Sequence, residues 1–240
     1  MTATVSLPRR LAAEALGTLL LLAVVVGSGI MAQRLSGGND GVALLANAVA
    51  TGAALPVLIL LFGPLSRTHL NPAVSLVMAL RRELPPREAL LYAAAQTVGA
   101  VLGVALAHAM FGLPVLEWGV RARTGGQWLA EAVATASLVL VILGLRRSAP
   151  AALPWAIGAW ITAAYWFTAS TSFANPAVTL ARALTTSFAG IAPGDAPGFL
   201  VAQLVGAAGA AWGFTALWES GEARSAVPAA AAQARPLSSP

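Results

Sequence analysis

Cysteine and lysine are both missing from the 240 residues, and only 10% of the chain is charged. Without cysteine there are no disulfides, no thiolate chemistry and no zinc–sulfur site. Histidine is scarce as well. His69 and His108 are the whole supply, and their separation makes a poor start for a metal cluster. A soluble domain usually carries about 25% charged residues. This chain, with 58% hydrophobic residues and a mean hydropathy of +0.77, is not built to be wetted on its outside, and the class it points to is membrane protein. No Ser/His/Asp set, metal-ligand spacing or phosphate-cradling glycine loop is present, so no enzyme, metal or cofactor is expected. The net charge of +5 could suggest nucleic acid, but all fourteen basic residues are arginines lying between apolar runs. They serve better as topology signals, which makes lipid the partner and not nucleic acid.

Six runs are long enough to be membrane helices, roughly residues 11–33, 42–62, 88–111, 128–145, 153–167 and 198–218. A hydrocarbon layer of about 30 Å needs about 20 helical residues. The fifth run is short. If the N-terminus lies in the cytoplasm, Arg9, Arg10, Arg67, Arg81, Arg82, Arg87, Arg146, Arg147, Arg224 and Arg235 fall inside, and Arg34, Arg121, Arg123 and Arg182 outside. Ten against four favours both termini in the cytoplasm. The expected organisation is one transmembrane domain over 1–218, with halves of about 10–111 and 126–218. An Ala/Pro/Ser-rich segment at 219–240 follows and is expected to be disordered.

The halves repeat. "EALGT" at Glu14 in the first run matches "EAVAT" at Glu131 in the fourth, and "AAQTVGA" at 94–100 in the third matches "VAQLVGA" at 201–207 in the sixth. Three spans per half is an odd number, so the two halves have opposite orientations in the membrane. Between second and third spans of each half comes an Asn-Pro-Ala-Val tetrad, at Asn71 and at Asn175, although the chain has only four asparagines.

The apolar run behind each tetrad has some ten residues, Asn71–Leu80 and Asn175–Leu184, or about 15 Å of helix. That is half a membrane, so two half-helices meeting head to head would complete one crossing. Pro72 and Pro176 suit the first helical position, while Asn71 and Asn175 suit the cap. The amide NH2 groups left over are expected to point away as free donors. Ala73 and Ala177 are small enough to let the heads touch. Two helix N-termini at mid-membrane oppose cations and protons and admit neutral polar molecules. Glu14 and Glu131 are expected to accept backbone N–H groups of the non-helical loops, with proton relay as the alternative.

At these residues the chain resembles the aquaporin, or major intrinsic protein, family over roughly 10–218. The resemblance rests on the two Asn-Pro-Ala boxes, the Glu-x-x-x-Thr pairs and "HLNPAV" at His69. It implies an all-α membrane protein of six transmembrane helices and two half-helices, assembled as a homotetramer in the bacterial inner membrane. Each protomer would conduct water or small neutral solutes passively. The narrow filter of such a pore falls on Thr51, Ala163 (or Thr162), Ser172 and Val178. In most of the family an arginine stands where this chain has Val178, so a wider pore suited to glycerol-like polyols is expected. The form "SFANPAVTLARAL" also resembles a bacterial branch linked with uncharged arsenite. Arg182 could guard the outer mouth or pair with Asp195, and His69 could line the inner approach or brace the loop. A secondary transporter of a small neutral solute is the alternative function.

Overall fold

The computed structural model describes residues 5–219, so the tail expected at 220–240 lies outside the described residues. Eight α-helices are found among them: α1 (Leu7–Leu35), α2 (Asp40–Ser66), α3 (Pro72–Leu80), α4 (Pro86–Met110), α5 (Gly126–Ser148), α6 (Leu153–Phe167), α7 (Pro176–Arg182) and α8 (Ala196–Phe214), with a π turn at Thr215–Glu219 closing the last. Five of the long helices have the length and apolarity to cross a membrane. The sixth, α6, has 15 residues, about 22 Å of rise, and leads into the loop before α7. Helix ends fall where the local chemistry sets them. Asn39 caps α2 by accepting from Val42 N–H at 3.1 Å, and prolines occupy the first turn of α1, α3, α4, α6 and α7.

The two halves pack alike. α1 lies against α4 and α5 against α8, and both crossings are close because a glycine faces a carbonyl. A Cβ on Gly99 would meet Ala15 O at 2.1 Å and one on Gly206 would meet Ala132 O at 2.3 Å, while Gly103 sits as tightly over Leu19 O. Gly209 and Gly213 have open space beside them, so of the three α8 glycines at 206, 209 and 213 only Gly206 serves the crossing. α2 crosses α6 through Gly52 and Gly158 in the same way. Outward faces carry exposed apolar side chains such as Leu61, Val98, Val201 and Trp212. A continuous apolar exterior of this kind fits lipid and not water. This is a multi-pass membrane protein.

Both described ends of the chain lie on one side of the bundle, here the terminal side. There Arg146 grips Glu83 at 2.5 and 2.7 Å, Arg81 reaches Glu83 at 3.0 Å and Glu219 at 2.8 Å, and Arg10 pairs with Glu88 at 2.8 Å. The Arg146 guanidinium, with Arg81 beside it, holds the Glu83 carboxyl below the ordinary carboxylate range despite partial burial. A depressed folded-state value means that the carboxylate stabilises the fold above its unfolded pKa of about 4.3. That contribution is lost as pH falls through the lower, folded value. Glu83→Gln is therefore expected to lower the melting temperature at pH 7, by no more than about 1 kcal/mol of stability. Once the pH is below the folded value, the variant and the parent should melt together. Differential scanning fluorimetry in detergent across that range checks the sign.

Candidate functional site at the meeting of the two half-helices

The short helices α3 and α7 enter from opposite sides and touch at their N-termini. Asn71 Oδ1 accepts from Ala73 N–H at 2.8 Å, and Asn175 Oδ1 accepts from Ala177 N–H at 3.0 Å and Val178 N–H at 3.3 Å. Ala73 and Ala177 are wholly buried. Neither amide nitrogen is left wholly free, contrary to the expectation from the sequence. Asn71 Nδ2 donates to Ala174 O and Asn175 Nδ2 to Leu70 O, each at 2.7 Å. Each asparagine thus caps its own helix and ties itself to the loop of the other half. A primary amide has two N–H bonds, so one per asparagine remains for the cavity that both residues line.

The loops leading into these helices are built to one plan. Arg67, Thr68 and Leu70 have positive φ, and so do Thr171, Ser172 and Ala174 in the same register. None is a glycine, so each costs about 1–2 kcal/mol. Buried carboxylates hold both turns. Glu14 accepts from His69 N–H at 2.9 Å, Leu70 N–H at 2.7 Å, Ser66 Oγ at 2.6 Å and Gln96 Nε2 at 2.8 Å. Glu131 accepts from Phe173 N–H and Ala174 N–H, both at 2.8 Å, and from Gln203 Nε2 at 2.6 Å. Gln96 continues to Ser75 Oγ at 3.1 Å and Gln203 to Thr179 Oγ1 at 2.8 Å, which locks each loop to its half-helix. Thr18 and Thr135 close the pattern on the backbone carbonyls of Glu14 and Glu131.

A cavity of about 830 Å³ runs along these groups. It starts among Arg10, Glu88 and Arg146, passes His69 and both asparagines, and ends on the distal side at Thr51, Tyr165, Ser172, Val178 and Arg182. Ala163 is exposed on the bundle exterior, and it is not part of the cavity wall. Thr162 is turned into the α2–α6 contact, donating to Gly158 O at 2.9 Å. The α6 residue on the distal cavity wall is Tyr165, whose hydroxyl lies 3.2 Å from Thr51 Oγ1. The reason is helical phase. Ile157, Ile161 and Tyr165 recur every fourth residue on the cavity face, and Ala163 is about 200° away from Tyr165. That stripe of large residues was the signal available in the sequence. Ser172 Oγ is buried with no partner among the described residues.

Arg182 is 2% exposed and fully walled in by protein and cavity. Its Nε–H donates to Ala189 O, and its guanidinium lies 3.4 Å from the centroid of the Phe173 ring. Asp195 is not its partner, since Asp195 Oδ2 accepts instead from Arg123 N–H at 2.7 Å. His69 sets Nδ1 3.0 Å from Ser75 Oγ and meets Tyr92 edge-on with centroids 5.3 Å apart. Phe173, Tyr165, Gln96 and Gln203 are the site residues that the sequence did not single out for a role. Among the described residues no three His, Asp or Glu side chains converge as a metal set would.

Residues 1–151 match the major intrinsic protein family, and over 202 residues the chain is 58% identical to an aquaglyceroporin, AqpS, of Rhizobium meliloti, covering 84% of this chain and 86% of that one. The chain belongs to the major intrinsic protein family. It is a membrane channel and not an enzyme. Aquaporin PIP2-7 of Arabidopsis thaliana is 38% identical over 116 residues, covering 48% of this chain and 41% of its own length. The crystal structure of the aquaglyceroporin from Plasmodium falciparum shares the fold, with a TM-score of 0.75 at 21% identity over 92% of this chain and all of that one. Within this major intrinsic protein the arginine usual after the second Asn-Pro-Ala is replaced by Val178, and a guanidinium reaches the cavity from Arg182, four residues on.

Proposed function

We propose that the protein is a passive channel for water and small neutral polar solutes of glycerol size, with uncharged arsenite a further candidate, that excludes protons and metal cations. The reading rests above all on the reciprocal pair of bonds from Asn71 to Ala174 O and from Asn175 to Leu70 O. They bring two helix N-termini, each worth about half a positive charge, to one point of the cavity wall with amide N–H groups to spare. A hydroxylated solute can accept from those groups, and a cation meets two positive ends. Asn71, Pro72, Ala73, Asn175, Pro176 and Ala177 make this waist. Thr51, Tyr165, Ser172 and Val178 make the distal filter with Arg182 at its mouth, and Glu14, Glu131 and His69 support the loops. The arginine distribution supports cytoplasmic termini in a bacterial inner membrane, which makes the distal side the outer one. The exposed apolar faces are compatible with a homotetramer.

A coupled transporter or a proton relay would need a carboxylate free to take an ion. Glu14 and Glu131 each accept from three or more protein donors, which speaks against both. Stopped-flow light scattering of proteoliposomes tests the proposal. Water, glycerol, urea and arsenite fluxes should rise linearly with gradient and need no proton or sodium gradient. Saturating, gradient-driven flux would overturn it. In the same assay Arg182→Ala is expected to raise sodium leak by about tenfold or more, because it removes a positive charge from the cavity wall in a medium of effective dielectric about 20. Unchanged water, glycerol and cation fluxes would remove Arg182 from the mouth.

A further inference from the structure

We propose that Arg123, carried on the loop between α4 and α5, is the positioning residue of the distal filter. Comparing the halves leads to it. On the terminal side Tyr92 OH donates to Ser66 O at 3.2 Å, and its ring sits against His69, two residues before Asn71. On the distal side the matching helix residue is Phe199 of α8, which meets Phe173 edge-on with centroids 5.1 Å apart but has no hydroxyl to donate. Arg123 Nη1 donates to Ser170 O at 2.8 Å, the carbonyl in register with that of Ser66. The same guanidinium lies 4.8 Å from the ring centroid of Phe173, two residues before Asn175. Its Nε–H also donates to Gly190 O at 3.0 Å, while its backbone N–H is held by Asp195 at 2.7 Å. One side chain, 3% exposed, therefore joins the loop before α7 to the loop after it.

The consequence is specific. Phe173 is the surface on which Arg182 rests, and Ser172, its neighbour, faces the cavity. Arg123 does not line the cavity and acts on solutes only through those residues. Two carbonyls hold the Arg123 guanidinium against one side of the Phe173 ring, Phe199 meets that ring edge-on, and Phe173 is in turn the surface under the Arg182 guanidinium. Arg121 provides a contrast on the same loop. It makes an equivalent contact, 4.8 Å from the Phe188 ring with Nη1 on Phe188 O, but Phe188 is outside the cavity wall.

The inference rests on the channel reading, so parent proteoliposomes are assayed first with water, glycerol, erythritol and xylitol. Absence of any solute flux in the parent would sink that reading, whatever Arg123 does. Given flux, Arg123→Met is expected to raise the erythritol-to-water permeability ratio by about tenfold, the factor that a net hydrogen bond to a charged group is worth. Arg123→Lys can reach one carbonyl but not both with planar geometry, and its ratio should fall between. Arg121→Met, which removes the same charge from the same loop, should leave the ratio at the parent value. A folded Arg123→Met with the parent's solute series overturns the proposal, and so does an equal shift in Arg121→Met. If neither Arg123 variant folds, Phe173→Leu carries the test: it keeps both carbonyl bonds and removes the ring. A relaxed ratio there supports the positioning role and an unchanged one overturns it.

Discussion

Glu131→Leu is expected to leave no assembled channel. The substitution keeps roughly the shape and removes the acceptor of Phe173 N–H and Ala174 N–H and one of the two acceptors of Gln203 Nε2. Each buried donor left unmet costs about 1–3 kcal/mol, and at this depth there is no bulk water to replace the acceptor. Three such losses come to about 3–9 kcal/mol, comparable with the roughly 5–15 kcal/mol that holds a domain folded. They fall on a loop already holding Thr171, Ser172 and Ala174 at positive φ. Glu131→Gln, which retains one oxygen to accept with, should be milder and yield protein of reduced melting temperature. Size-exclusion profiles in detergent and circular-dichroism melts read both. A Glu131→Leu protein that elutes and melts as the parent does, and still conducts, would show that the carboxylate is dispensable.

Val178→Arg is the second large effect. Val178 lines the cavity together with Thr51 and Tyr165, so an arginine there adds bulk and charge to the proposed filter. It would stand one helical turn, about 6 Å, from Arg182, where two guanidinium charges repel by about 3 kcal/mol at an effective dielectric of 20. Glycerol flux should drop by about tenfold or more, because pore diameter and charge together set what passes. Water flux should drop much less. Stopped-flow ratios decide it, and equal losses of water and glycerol would show that the discriminating ring lies elsewhere. Removing Arg182 in the Val178→Arg background should relieve the repulsion and recover stability.

The half-helices were legible because length and capping are local properties. Asn-Pro at the head and ten apolar residues behind it leave few alternatives, and α3 ends at Leu80 as its run does. α7 stops at Arg182, two residues short of Leu184, because its last turn tightens through Ala183 N–H to Leu180 O and Leu184 N–H to Ala181 O. Such tightening leaves no mark in composition. The resemblance puts the α6 filter position on Ala163 or Thr162 because a sequence motif carries position along the chain and not helical phase. The face of α6 toward the cavity is fixed instead by its packing on α2 through Gly158. The amide groups of Asn71 and Asn175 were expected to be free because a sequence displays a cap and its own helix, but not a carbonyl more than a hundred residues away.

That long-range reciprocity bears on how the protein is made. Asn71 cannot complete its bonding until Ala174 has left the ribosome, and Leu70 O waits for Asn175. During synthesis the first re-entrant loop must therefore remain provisional, sheltered by an insertion machinery or by water, while the second half is threaded in the inverted sense. Neither repeat expressed alone can close the waist. Two separately encoded halves should each insert and then become a working pore only on meeting.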